Sequence, residues 1–160
     1  YFNRGQLYQQ RGDLSSALAD YNRVLQLDPN HVRAYFARGS VAYQQGDYAA
    51  AAADFSRALD LGYGNPDVYI YRGIAYLQQG QGAPAVDDLT QALSLVPEQV
   101  DLHYYRAQAY ALTGDLKAAI DDLSTFLNAA PADSPLRPEA ESLLENLRKS
   151  ESAAGGGLLT

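Results

Sequence analysis

The chain has 160 residues, enough for one domain with a sizeable core, and its 47% hydrophobic and 19% charged composition is that of a globular protein. A net charge of −7 with scattered basic residues argues against nucleic acid as a partner, and the absence of any apolar run near ~18 residues argues against direct membrane insertion. The chain has no Cys, which excludes disulfides, thiolate catalysis and Cys-based metal sites, and the distant His31 and His103 read as structural imidazoles.

In chain order, the opening YFNRGQLYQQRGDL reads as the first helix of a helix pair, stopped near Gly12. The chain also lacks Met and reads as a piece or processed form of a longer protein, with an uncapped first helix pair at its front. In YFARGSVAYQQGDY, Tyr35, Gly39 and Ala42 are spaced i, i+4, i+7 on one helix face. Gly46 ends that helix, because glycine enters the left-handed conformation cheaply, and Asp47 is a suitable N-cap for the next. Ala51, Phe55 and Ala58 give the second helix its packing face, and Gly62-Tyr63-Gly64 with Pro66 closes the pair. Pro29, Pro97 and Pro131 end the corresponding helices elsewhere.

The third stretch, YIYRGIAYLQQGQG, runs into Gln81-Gly82-Ala83-Pro84. Proline is tolerated only in a first turn, so the next helix is predicted to begin near residue 82. HYYRAQAYALTGDL opens a fourth pair. After Pro131, the stripe Ala140, Leu143, Leu144, Leu147 predicts a last helix, with Glu139 and Glu141 in its first turn and Arg148 and Lys149 in its last. One face covers the preceding pair and the other is polar, so this helix is expected to cap the array. The tail SAAGGGLLT reads as flexible linker.

Shifted by 34, the sequence matches itself in five columns: Arg4/38/72/106, Gly12/46/80/114, Ala17/51/85/119, Asp20/54/88/122 and Leu25/59/93/127. Each Arg lies eight residues before its Gly and each Asp eight after it. In an antiparallel pair, equal distance from the turn is equal height, here about 12 Å up at roughly 1.5 Å per residue. Four structural ion pairs are therefore expected: Arg4–Asp20, Arg38–Asp54, Arg72–Asp88 and Arg106–Asp122, with a partner in the adjacent pair as the other option. A ladder of arginines for phosphate or carboxylate ligands would be the functional reading. A clasp fixing helix register is preferred, since each Arg comes with its own carboxylate.

The period and the residues Tyr35, Gly39, Gly46, Asp47, Tyr48, Ala51, Phe55 and Ala58 resemble the tetratricopeptide repeat (TPR) family over residues 1 to about 133. Departures are Ala107 for the small Gly of the first helix, Tyr63 where Pro is usual, and Phe126 for a small residue. The resemblance implies an all-α fold, a right-handed superhelical solenoid of antiparallel helix pairs. It implies repeats at 1–31, 32–65, 66–99 and 100–133, a capping helix at 134–151 and a flexible tail at 152–160. The pairing of Arg-Gly with Gly-Asp resembles bacterial members. Each helix is short enough to be marginal alone, so stability must come from stacking.

In this family the first helices line a groove that binds extended or helical peptides. Carried over, the groove residues are Phe2, Gln6, Gln9 and Gln10; Arg33, Phe36, Ser40, Tyr43 and Gln44; Asp67, Ile70, Ile74, Leu77 and Gln78; and Asp101, Tyr104, Gln108 and Leu112. Chaperone-tail-binding members use a clamp of Lys, Asn and Arg. Here its places hold Phe2, Gln6, Ala37, Asp67 and Tyr71, or one copy later Phe36, Ser40, Tyr71, Asp101 and Tyr105, so that clamp is absent. Ile70, Ile74 and Leu77 lie opposite Tyr69, Gly73 and Tyr76, making one helix apolar on two sides. That pattern serves either packing against neighbouring helices or an anchor pocket for a partner side chain.

No nucleophile–base constellation, phosphate-binding loop or HExxH motif appears, so neither catalysis nor a cofactor or metal is expected. The expected function is a protein- or peptide-binding scaffold module. The alternative is self-association of the parent protein, through the first repeat or the tail. Leu158 and Leu159 are expected to dock in the groove of a neighbouring molecule, unless the last helix runs on past Ser150.

Overall fold

The computed structural model describes the backbone of residues 1–156 and the side chains of residues 1–153. Among the described residues all regular structure is helical: α1 Phe2–Gln10, α2 Leu14–Leu27, α3 Val32–Gln44, α4 Tyr48–Asp60, α5 Pro66–Gln78, α6 Gly82–Leu95, α7 Asp101–Thr113, α8 Leu116–Ala129 and α9 Arg137–Gly156. The chain divides into two compact units. The first, Tyr1–Gln79, holds α1 to α5; the second starts at Gly80 and holds α6 to α9.

Local chemistry sets the helix ends. Gly46 turns the chain at φ +78°, a conformation that costs glycine little, and Gly12, Gly80 and Gly114 do the same at φ +77°, +70° and +81°. The next residue then caps the following helix. Asp13 accepts from the Ser16 amide (3.1 Å), Asp47 from Ala50 (3.0 Å) and Asp115 from Ala118 (3.0 Å). Gln81 occupies that place in the third copy and makes no capping hydrogen bond, yet α6 begins at Gly82 with Pro84 in its first turn, where the proline rule puts it. His31 caps α3, its Nδ1 accepting from the Ala34 amide at 3.1 Å.

In the first unit, α1 packs on α2, α2 on α3, α3 on α4 and α4 on α5. A Cβ on Gly5 would meet the Tyr21 ring at 2.7 Å, and one on Gly39 would meet the Phe55 ring at 3.0 Å. Glycine there lets a fully buried aromatic ring lie flat against the first helix. In the second unit Leu123 stands in the aromatic column, and Ala107 replaces the glycine with no exposed surface.

The second unit stacks α6 on α7, α7 on α8 and α8 on α9. Phe126, large where its column is otherwise small, is fully buried and joins Tyr104, Leu123, Ala140, Leu144 and Leu147 in one core. The long ring reaches the stripe of α9 and gives that helix a face to dock on. α9 starts three residues later than expected and runs on through Ser152 to Gly156 instead of giving way to linker at 152. Within α9 the hydroxyls of Ser150 and Ser152 donate back to the carbonyls of Asn146 and Arg148 (3.1 and 2.9 Å). Leu158 and Leu159, and the docking expected of them, lie outside the described residues.

Candidate functional site

Two adjoining cavities open on the first unit. One, of about 200 Å³, is lined by Phe2, Gln6, Gln9, Tyr21, Arg33, Phe36, Ala37, Ser40 and Tyr63. The other, of about 330 Å³, is lined by Gln9, Phe36, Ser40, Tyr43, Gln44 and Tyr71. They share Gln9, Phe36 and Ser40, so together they form one groove across α1 and α3. Helical spacing explains the set: Phe2, Gln6 and Gln9 are i, i+4, i+7 on α1, and Phe36, Ser40 and Tyr43 repeat that spacing on α3.

The floor is aromatic. The Phe36 ring lies 5.8 Å from Phe55, 5.3 Å from Tyr63 and 6.4 Å from Tyr71, and Tyr43 lies 5.5 Å from Tyr71. Tyr63 therefore closes the groove wall where the family usually has proline. The edges are amides. Tyr21 donates to Gln9 Oε1 at 2.8 Å, and Ser40 donates to the Phe36 carbonyl at 2.8 Å. Of the residues lining the two cavities, Arg33 alone is charged, and its guanidinium lies 5.2 Å from the Phe2 ring centre. This arrangement can seat an apolar side chain, hydrogen-bond a backbone and meet one carboxylate. Among the described residues no group of acidic and His side chains is arranged to hold a metal ion. None of the described helices is long and apolar enough to cross a membrane.

The structure thus brings together eight of the residues expected in the groove: Phe2, Gln6, Gln9, Arg33, Phe36, Ser40, Tyr43 and Gln44. Those of the third and fourth copies line neither cavity. Asp67, Gln78, Asp101 and Leu112 are exposed, and Ile70 and Gln108 half-buried. Ile74 and Leu77 are only 9% and 8% exposed, so these two side chains of the α5 stripe are core. Tyr104 is 6% exposed, packed 5.7 Å from Phe126, and donates to Glu139 of α9 at 3.1 Å. Burial first, then the Glu139 carboxylate, push its phenol up to about 12.

Three arginines of the column grip carboxylates. Arg4 grips Asp20 through Nε and Nη2 at 2.7 and 2.6 Å, Arg38 grips Asp54 at 2.7 and 2.7 Å, and Arg106 grips Asp122 at 2.7 and 2.8 Å. Hydrogen bonds from Arg4 hold the Asp20 carboxyl below the usual carboxylate range. In the third copy Arg72 and the buried Asp88 fall in different units. His103 adds a second contact to Asp122, its Nδ1 at 2.8 Å from Oδ1.

A second column went unnoticed in the sequence. Nη1 of Arg38, Arg72 and Arg106 donates to Asn22, Ser56 and Thr90 at 2.8, 3.0 and 3.2 Å. Each acceptor sits 16 residues upstream, on the second helix of the preceding pair. The signal was there: a short oxygen-bearing side chain recurs at the period of the repeat. Arg38 and Arg106 thus each join their own pair and tie it to the one before, and Arg72 ties α5 to α4.

Two tetratricopeptide repeat family models match the chain, over residues 5–72 and 72–134. No curated protein sequence matches it. Among solved structures, it is similar to YrrB, described as a TPR protein with an unusual peptide-binding site (23% identity, 95% of this chain and 76% of that one, TM-score 0.86). It is similar to MamA from Desulfovibrio magneticus (18%, 94% and 93%, TM-score 0.76). It is also similar to the second TPR domain of human RPAP3, solved with an HSP70 peptide (25%, 69% and 89%, TM-score 0.61). With its period, paired helices and both family models in agreement, the chain belongs to the tetratricopeptide repeat family.

Proposed function

We propose that this chain is a protein-interaction module that takes an extended peptide segment in the groove of its first unit. The observation that carries this is the pair of adjoining cavities with an aromatic floor and glutamine edges. An apolar or aromatic side chain of the peptide packs on Phe36 and Tyr71, and its backbone bonds to the amides of Gln6 and Gln44. Arg33 meets a single carboxylate at one end. YrrB and RPAP3, whose solved structures carry a peptide-binding site and a bound peptide, support a binding role for this fold. The role is recognition rather than catalysis.

The test starts from peptides selected from a display library against the intact chain, with affinity then measured by calorimetry. Ser40→Arg places a long side chain where the two cavities meet. It is expected to weaken the selected peptide by roughly tenfold or more, with the thermal midpoint nearly unchanged. Raising salt is expected to change affinity little, since one charge lines the groove. Unaltered affinity in Ser40→Arg would overturn the assignment of the site.

A further inference from the structure

We infer that the chain holds a second binding site, an open cavity between α2, α3 and α4 that takes a tyrosine side chain of another polypeptide. The repeat shows what belongs there. Four places after each arginine of the column stand Tyr8, Ala42, Tyr76 and Tyr110. Three of the four arginines therefore carry a ring one helical turn on. The guanidinium of Arg4 lies 5.9 Å from the Tyr8 ring centre, that of Arg72 5.8 Å from Tyr76 and that of Arg106 5.7 Å from Tyr110. A cation within about 6 Å of a ring centre is attracted by the ring's negative face. Arg38 has an alanine at that place.

A cavity of about 360 Å³ opens beside Ala42, with Asn22, Arg38, Gln45, Ala50 and Ala53 among the residues that line it. None of the described lining residues carries a ring. Arg4 shows the complete arrangement, with Tyr1 at 5.4 Å as well as Tyr8 at 5.9 Å. Arg38 keeps the counterpart of Tyr1, which is Tyr35 at 5.6 Å, and lacks the counterpart of Tyr8. Hydrogen bonds to Asp54 and Asn22 fix its guanidinium, which is still 28% exposed. A ring that enters thus meets a cation already held in place and walls of small alanines. The volume is that of an ordinary ligand site, and the cavity shares no lining residue with the groove.

The occupant is a tyrosine because that is the side chain the other three copies put beside the arginine. Its bearer is another polypeptide. Residues 154–160 of this chain contain no aromatic residue. Among the described residues the exposed aromatic side chains are Tyr1 and Tyr71. Tyr1 lies over its own Arg4, and Tyr71 lies 5.5 Å from Tyr43 in the groove, so a second copy has no free ring to offer. Gln45 and Asp47 line the cavity and stand exposed. An amide and a carboxylate there can bond the peptide groups that flank a tyrosine and that a free phenol lacks.

The experiment uses the whole 160-residue chain and, as probe, N-acetyl-tyrosine amide, followed through the NMR shifts of the Asn22 and Gln45 side-chain amides. Saturable shifts are expected at roughly millimolar probe, and none with N-acetyl-leucine amide. Ala42→Tyr returns the ring to its own column, and is expected to weaken the probe by roughly tenfold or more while raising the thermal midpoint. Ala53→Leu, at an exposed place on the wall, is expected to weaken it with the midpoint nearly unchanged. Ser40→Arg, in the groove, is expected to leave it unaltered, so the two sites succeed or fail separately. Absence of saturable shifts at about 10 mM probe would overturn the inference. So would unaltered affinity in Ala42→Tyr or Ala53→Leu, or a lower midpoint in Ala42→Tyr, which would mean that the cavity does not fit a ring. Tighter binding of p-cresol than of the amide would make a free phenol the occupant and overturn the assignment to a polypeptide. In sedimentation equilibrium, a dimer that Ala42→Tyr abolishes would make a second copy the occupant and overturn it equally.

Discussion

Phe36 of α3 and Tyr104 of α7 stand in the same column of the repeat, yet one walls a groove and the other lies in a core. Phe36 is half-buried and lines both cavities of the groove. Tyr104 is buried because α9 packs over α8 and brings Ala140, Leu144 and the Glu139 carboxylate to it. Phe126 makes that possible by reaching out where its column is otherwise small. A place in the repeat assigns a side chain to a face of the helix. What packs against that face decides whether it is a binding surface.

The comparison breaks most visibly on truncation of the two rings. Tyr104→Ala removes a buried ring from the α7–α8–α9 core and is expected to destabilise by about 3–5 kcal/mol. Phe36→Ala, at a half-exposed ring, is expected to lose well under that and to reduce peptide affinity instead. Urea unfolding of both variants, with calorimetry on the folded one, separates the two roles. Equal loss of stability would mean that Phe36 is core and the groove is packing.

The arginine clasps sharpen the same lesson on a smaller scale. Asp54→Ala strands Arg38, whose side chain is 28% exposed, and is expected to destabilise by about 2–3 kcal/mol. Asp20→Ala strands Arg4, 59% exposed and rehydrated by water, and is expected to lower the urea midpoint clearly less. The difference in urea midpoints reads the burial of the arginine directly. Matching midpoints would show that exposure does not set the strength of the clasp.

Much of this was legible in the sequence because it is local and periodic. Gly46 and Asp47 announce a turn and a cap, Pro84 places the start of α6, and equal distance from the glycine pairs Arg38 with Asp54. The groove residues expected on α1 and α3 came from the family resemblance, and eight of them line the two cavities. What escaped depends on contacts between helices distant in sequence. Nothing near Tyr104 shows that residues 139–147 return to cover it, and the stripe Ile74–Leu77 reads alike as pocket or core until its burial is known. The column Asn22, Ser56, Thr90 escaped for another reason: short polar residues on a helix face usually mean only solvent.

The central claim is that one groove, on the first unit, takes the peptide, while its counterpart on α7 is closed by the protein itself. The most direct measurement is a map of amide and side-chain amide NMR shifts in the intact chain as a selected peptide is added. Changes concentrated at Gln6, Gln9, Ser40 and Gln44, with Tyr104 and Gln108 undisturbed, are the predicted result. Changes centred on α7 and α9, with the groove glutamines unmoved, would contradict it.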